Sequence, residues 1–315
     1  MNIQVLTNEL SEEILIGPLQ KIEADSINIL SGYASASAAS RHLQELSKIS
    51  SEFNVRLTIG MTRDGAVTQS SHLAFKRLAG EFYIDNFFCH YMPLSMPIHS
   101  KIYVWTKRNN PVHAWCCSAN YTQAALYNMR QQEVVSVCDP SQALNIFLNA
   151  FSQSMSCGSP SASEVVESKR YENASVGNKE LHEETTAEWS LLSGRTEDGL
   201  RYGINWGHRG ERNRNEAYIP IPSTVYNTNF FPNRPNYFTV RTDDEYIFTC
   251  VREQDSGKAM TTPLNNSDIG LWLRKRIGLQ SGDRITAENL IKANATVVAF
   301  TKTDEDEYYL TLRGE

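Results

Sequence analysis

The stretch that decides the fold runs from Ile98 to Glu133. It reads Ile98-His99-Ser100-Lys101-Ile102-Tyr103-Val104-Trp105, then Ala114-Trp115-Cys116-Cys117-Ser118-Ala119-Asn120, then Glu133-Val134-Val135. The first part alternates and is rich in β-branched and aromatic residues, which is the pattern of a strand. Side chains two apart on a strand face the same way. His99 and Lys101 therefore project an imidazole and an ammonium side by side. Trp115-Cys116-Cys117 reads as a second short strand, with Ser118 and Asn120 again two apart. A hydroxyl, a carboxamide, a cation and an imidazole together make a phosphate cradle with a nucleophile in it. Glu133 opens a third apolar run and can orient an imidazole. A single His-x-Lys pair is usually a solvated surface pair, and Ser-x-Asn is common in turns. It is their order and strand context that carry the reading.

Working outward, Ser26 to Tyr33 reads as a buried strand ending near Gly32, and a helix follows over Ala34 to Ile49. Val55 to Met61 is a second strand and Ser70 to Ala79 a second helix. A strand is expected at Phe82-Tyr83-Ile84, a helix over Thr122 to Met129, a strand at Val134 to Cys138 and a helix over Ser141 to Ser152. Strands alternating with helices imply an α/β sandwich with a largely parallel or mixed sheet. His42, His72, His90 and His113 have no lysine two residues on, and read as surface or packing histidines. From Gln153 to about Thr186 the chain turns polar, rich in Ser, Gly and Glu, as linkers are. The expected organisation is a first domain over 1–155, a linker over 156–186 and a second domain over 187–315.

The 315 residues carry a net charge of −6, which excludes nucleic-acid binding by bulk charge but not by a local basic stripe. No apolar run is long enough to span a bilayer. Met1-Asn2-Ile3-Gln4 does not open like an export leader, so no membrane partner and a cytoplasmic location are expected. The six cysteines show no C-x-x-C or His/Cys spacing for zinc, so no metal site and no cofactor are expected.

In the second half, aromatic and β-branched runs alternate with Asn, Asp, Gly and Pro: Ala217 to Pro222, Asn236 to Arg241, Glu245 to Val251, Ala295 to Phe300, Tyr308 to Leu312. That is an all-β module, a small barrel with one or two helices, the clearest over Ser267 to Ile277. Asn205 to Pro222 (N-W-G-H-R-G-E-R-N-R-N-E-A-Y-I-P-I-P) places Arg209, Arg212 and Arg214 in an amide-rich loop before a strand. Arginine and asparagine read guanine and adenine edges in the major groove. A second loop, Arg252 to Lys258, leaves the strand expected over Tyr246 to Val251. The plainer reading is two solvated loops whose charges partly cancel through Glu211, Glu216, Glu253 and Asp255.

His99-x-Lys101, Ser118-x-Asn120 and Glu133 in that order resemble the phospholipase D superfamily signature. Thr106 and Lys107 stand where that family often has an acidic residue, and Cys117 replaces its usual glycine; the nuclease branch is the looser at both places. The run from Asn205 to Pro222, with Q-x-x-G-K-A at Gln254 and N-x-x-D-I-G-x-W-L-R-x-R-I-G at Asn265, resembles the C-terminal specificity domain of NgoFVII-type restriction endonucleases. That domain belongs to the B3-like pseudobarrel group, shared with BfiI-like enzymes. The two resemblances occur in the family's own order.

The resemblance implies an α/β phospholipase D-like nuclease domain followed by an all-β B3-like pseudobarrel. It implies two arms that grip the major groove of double-stranded DNA. Carried over, the arms supply Asn205, His208, Arg209, Arg212, Arg214, Asn215, Gln254, Lys258 and Arg274 as DNA-contact candidates, with Arg274 either on phosphate or capping its helix. It implies His99 as nucleophile, Lys101, Ser118 and Asn120 as phosphate ligands, and Glu133 orienting His99. One His-x-Lys per chain implies a homodimer with a composite site and metal-independent cleavage through a phosphohistidine. Some relatives cut only with an ATP-dependent accessory protein; no P-loop is present here to supply that function in the same chain. Two other readings stay open: a phospholipase D-like lipid or phosphodiester hydrolase, and a non-catalytic B3-type DNA-binding regulator.

Overall fold

A computed structural model describes residues 10–63, 66–128, 132–166, 185–192 and 203–314. Two compact units divide the chain, Met1–Arg170 and Tyr171–Glu315.

The first unit is built on Ser26–Ser31 (β1), which is buried at every position. Ile27, Ile29 and Leu30 supply its apolar surface, and the polar Ser26, Asn28 and Ser31 are buried with them. Asn54–Ile59 (β2) and Phe87–Tyr91 (β3) extend the sheet in parallel on one side. Ile102–Lys107 (β4), Asn110–Cys117 (β5) and Val135–Val137 (β6) extend it antiparallel on the other. With Met155–Ser156 (β7) the order is β6-β5-β4-β1-β2-β3-β7, a mixed sheet.

Helices Gly17–Lys21 (α1), Ala36–Ile49 (α2), Gln69–Arg77 (α3), Gln123–Leu126 (α4) and Pro140–Gln153 (α5) complete the unit. Four of them start where a side-chain oxygen satisfies a free backbone N–H of the first turn: Ser35, Thr68, Thr122 and Asp139 each accept one. Pro140 opens α5, where a missing N–H costs nothing. Phe147, Ala143 and Ala150 of α5 pack on Leu30, Ile102, Val104 and Ala114. Trp105, pointing the opposite way from Val104, is fully buried and donates its indole N–H to Ile14 O at 2.7 Å.

Two expectations shift. The strand expected at Phe82-Tyr83-Ile84 is absent: Phe82 ends a π-helical turn, and the sheet takes Phe87–Tyr91 instead. There Phe87, Cys89 and Tyr91 are buried alternately, the period a strand needs. The tract expected as linker from residue 156 belongs to this unit as far as Val165. β7 pairs with the edge of β3, and Cys157, Ala162 and Val165 are buried among the serines. The rest of that tract, 167–184, lies outside the described residues, as does Met129; the helix expected to reach it ends at Leu126.

The second unit is a seven-stranded sheet curled into a half-barrel. Its strands are Thr186–Ser190 (β8), Ile219–Pro220 (β9), Tyr237–Thr242 (β10), Ile247–Glu253 (β11), Ala259–Thr261 (β12), Val297–Asp304 (β13) and Glu307–Arg313 (β14). They run in the order β8-β13-β14-β10-β11-β12-β9, with only β10 and β14 parallel. An aromatic core fills it: Phe231, Phe238, Phe300 and Tyr308 lie with ring centroids about 5 Å apart. The expected helix is Asp268–Arg276; two short ones accompany it, Ser223–Tyr226 and Ala287–Lys292, so in chain order they are α6 (223–226), α7 (268–276) and α8 (287–292). Among the described residues, no helix is long and apolar enough to cross a membrane.

Candidate active site and nucleic-acid interface

β1 ends at Ser31, and the next residue, Gly32, is the point on which the site converges. A Cβ placed on Gly32 would sit 3.2 Å from His99 Cδ2, 3.3 Å from Asn120 Oδ1 and 3.3 Å from Lys101 Nζ. Three of the five sequence-picked residues therefore meet over a backbone with no side chain. The topology puts them there. β4 runs antiparallel to β1 and pairs Ile102 with Leu30, so the segment before β4 lies beside the carboxyl end of β1. Asn120 arrives just after β5, which is β4's antiparallel neighbour.

His99 does not lie in the ladder, as the alternating pattern implied; regular pairing starts at Ile102. The segment is still held extended. Ile98 N donates to Gly60 O, and Lys101 O accepts from Cys117 N. His99 is exposed while Lys101 is only 8 % exposed. The Lys101 ammonium lies 3.1 Å from His99 Nε2 and donates to His99 O at 2.8 Å. An ammonium has only donors, so a ring nitrogen that takes its proton is one carrying none. Burial lowers the Lys101 pKa, opposed by charge at Cys117 and Glu133.

Asn120 is aimed. Its Oδ1 accepts from Tyr33 N at 3.1 Å, which leaves the amide N–H groups for another acceptor. The Tyr33 ring stands edge-on to His99, with centroids 6.1 Å apart. Ser118 and Glu133 form a separate pair beside this group: Ser118 Oγ makes a short hydrogen bond to the Glu133 carboxylate and accepts from Val134 N at 3.0 Å. Glu133 is buried. In the single chain its carboxylate is thus committed to Ser118; the expected contact with His99 is not made among the described residues. Cys117, next door, is no rival nucleophile, because burial pushes its thiol up to about 12.

The four other histidines expected to pack do so elsewhere: His42 against Tyr121, His72 against Tyr91, His90 on Phe151 and His113 on Trp115. Among the described residues no three His, Cys, Asp or Glu side chains group as a metal-holding set.

In the second unit the arm over 205–216 separates into contacts and struts. Arg209, Arg212 and Arg214 are exposed. Arg212 lies over the Trp206 ring at 4.1 Å and bridges to Glu216 at 3.3 Å. The Arg214 guanidinium donates to His208 Nδ1 at 3.2 Å. Asn205 is fully buried; its amide donates to Ile285 O and accepts from Ile285 N, as a backbone partner would. Arg274 is 1 % exposed and donates to Asp283 O, Gly270 O and Arg214 O. In both, the polar atoms are spent inside the unit, with Arg274 bonding back to Gly270 O of its own helix, since a buried amide or guanidinium must be satisfied locally.

The second arm leaves β11. Gln254 and Lys258 are exposed at its two ends, and Gln254, Ser256 and Gly257 all have positive φ. What holds this strained loop is Arg252, a residue sequence reasoning passed over. It is 3 % exposed and donates to Gly257 O, Ser256 O, Tyr226 O, Phe231 O and Asn233 Oδ1. Gly32 and Tyr33 were equally unread; the available signal was a glycine at the carboxyl end of a buried parallel strand, where open α/β sheets bind ligands.

A mixed sheet with a His-x-Lys pair at a strand end, and a curled half-barrel carrying basic arms, define a phospholipase D-like nuclease unit coupled to a DNA-binding unit. Residues 8–166 match the NgoFVII restriction endonuclease N-terminal PLD domain, and residues 180–304 the NgoFVII C-terminal B3-like DNA-binding domain. The chain belongs to the NgoFVII restriction endonuclease family, and as such is a phosphodiester hydrolase acting on DNA.

Among solved structures, NucT from Helicobacter pylori is 12 % identical with a TM-score of 0.33, covering 49 % of this chain and 97 % of its own. Nuc from Salmonella typhimurium, a phospholipase D family member, is 18 % identical with a TM-score of 0.31, covering 42 % and 82 %. Polyphosphate kinase from Porphyromonas gingivalis is 14 % identical with a TM-score of 0.30, covering 47 % and 20 %. No curated protein matches the chain.

Proposed function

We propose that the chain is a type II enzyme that cuts double-stranded DNA at a specific sequence, without metal, through a covalent phosphohistidine. The observation that carries this reading is the convergence of an exposed His99 with Lys101 and Asn120 over the bare backbone of Gly32. A His99 ring nitrogen attacks phosphorus; an N–P bond forms as the P–O bond to one strand end breaks. Lys101 and the Asn120 amide take the non-bridging oxygens and offset the charge that grows there. Water then attacks phosphorus, the N–P bond breaks, and two easier displacements replace one hard one.

The departing oxygen needs a proton. Among the described residues no second imidazole contacts His99. A second copy of the chain supplies it: a twofold axis brings identical patches face to face, so one His99 is nucleophile and the other general acid. Exposed Tyr33, and Leu94 and Met96 in the segment leading to His99, suit such a contact. Ser118 and Glu133 hold the wall beside Lys101. In the dimer Glu133 also orients an imidazole. Arg209, Arg212, Arg214, Gln254 and Lys258 contact the DNA, with His208 and Asn215 shaping the first arm. The enzyme works in the cytoplasm.

The test is plasmid cleavage. The wild-type chain is expected to cut in EDTA, and His99→Ala to lose at least about a thousandfold in rate while binding the same fragments. A strict metal requirement, or cutting that survives His99→Ala, overturns the mechanism.

A further inference from the structure

The first arm is one half of a platform. Its other half is the loop from Gly278 to Ile285, which no arm candidate includes. Two asparagines clasp the halves together, each by both ends of its amide. Asn215 Nδ2 donates to Ser281 Oγ at 3.0 Å, and its Oδ1 accepts from Gly282 N at 2.8 Å. Asn205 does the same with both backbone groups of Ile285, at 2.7 and 3.0 Å. Arg274 runs beneath both halves, donating to Arg214 O on one and Asp283 O on the other.

The loop itself is preset. Gly278 and Gly282 have φ of +76° and +85°, conformations in which a side chain is strained. Asp283 turns its carboxylate to Gln280 N at 2.9 Å, so its charge is used to close the turn. Gln280, Ser281 and Arg284 are exposed. Arg284 has no hydrogen bond or ion pair among the described residues. Its charge reaches the first arm: burial first, then the charges of Arg274 and Arg214, hold the His208 imidazole below its ordinary pKa against a backbone hydrogen bond at Asp283, and Arg284 adds a smaller push the same way. A cation kept unpaired on a rigid support, acting on the same imidazole as Arg214 and Arg274, costs repulsion that an anionic ligand relieves.

We propose that the loop Gln280–Arg284 is a third DNA-contacting segment, in which Arg284 takes a backbone phosphate next to the first arm. This rests on the reading of the arms as the DNA grip. A phosphate contact adds affinity for every sequence and sharpens the dependence on salt, whereas a base reader acts on the cognate site.

Binding is measured with the full-length His99→Ala chain, on a duplex bearing the site that wild-type cleavage defines and on one lacking it, from about 50 to about 200 mM salt. Arg284→Ala is expected to weaken both complexes about eightfold at 0.1 M salt and to lower the salt slope by about 0.9. Arg284→Lys should restore the slope. An unchanged melting midpoint shows that the unit is still folded. Unaltered affinity and slope in Arg284→Ala overturn the inference, and loss confined to the cognate duplex overturns the phosphate assignment. Arg212→Ala runs in parallel: if it weakens binding while Arg284→Ala does not, only this inference falls; if neither does, the arm reading falls too.

Discussion

At the scale of single residues, the molecule is decided as much by what is missing as by what is present. Gly32 has no unusual backbone conformation to justify it; its reason is space, since His99, Lys101 and Asn120 all crowd the place of its Cβ. Distances of 3.2–3.3 Å lie just under ordinary contact, so a methyl group there moves the imidazole and the amide by tenths of an ångström. In-line displacement tolerates little such movement. Gly32→Ala is expected to cut the cleavage rate about tenfold to a hundredfold, with the thermal midpoint within a few degrees of wild type. Full activity in that variant would mean that the three side chains do not act from these positions. Tyr33 shows the same economy: its backbone N–H, not its side chain, sets the direction of the Asn120 amide.

At the scale of elements, α2 carries a titration that no catalytic argument needs. His42 is fully buried, with Nδ1 at 2.8 Å from the Tyr121 hydroxyl and Nε2 at 3.1 Å from Leu15 O. Burial pulls its pKa from 6.5 to about 4, and the Leu15 contact only partly opposes this. The folded value lies below the unfolded one, so the unfolded chain takes up the proton first. The stability this ring contributes is whole above pH 6.5 and drains away as the pH falls towards 4. By pH 5 the loss is about 2 kcal/mol. His72, also held down to about 4 by burial and by Lys76, adds in the same direction. A denaturant midpoint for the first unit that stayed level from pH 7.5 to pH 5 would contradict this. The arms follow a related rule. Arg252 and Arg274 are buried cations that tie loops to their surroundings: Arg252 joins Ser256 O and Gly257 O of the second arm to Tyr226 O and Phe231 O, and Arg274 joins Arg214 O and Asp283 O to Gly270 O of its own helix.

At the scale of the whole molecule, two separate cores make two separable tasks. The core under α5 and the aromatic core of the half-barrel share no residue. Each unit therefore buries its own apolar surface, the condition for folding alone. Residues 171–315 expressed by themselves are expected to bind the cognate duplex within about threefold of the full-length His99→Ala chain, read by gel shift at one salt concentration. A loss of more than about a hundredfold would show that recognition depends on the first unit. The net charge of −6 does not bar a local basic stripe, and Arg209, Arg212 and Arg214 lie exposed within six residues of one another.

The sequence by itself determined the order of the two units, the alternation of strands and helices in the first and the strand runs of the second. Periodicity and capping are local properties, and local properties are written in neighbouring residues. It also offered His99, Lys101 and Asn120 as one group, because the order of the His-x-Lys and Ser-x-Asn motifs can be read along the chain, although His99 and Asn120 prove to lie just outside the strands. Only the tertiary structure decided the rest. Gly32 meets His99 across a strand pair, Glu133 meets Ser118 instead of the imidazole, and Val165 packs although its surroundings look like linker. Asn205 and Arg274, which resemblance offered to DNA, were turned inward by backbone groups far along the chain. A side chain's type says what it can bond to, but which partner it finds depends on what the fold brings within about 3 Å, and that distance is not encoded in spacing.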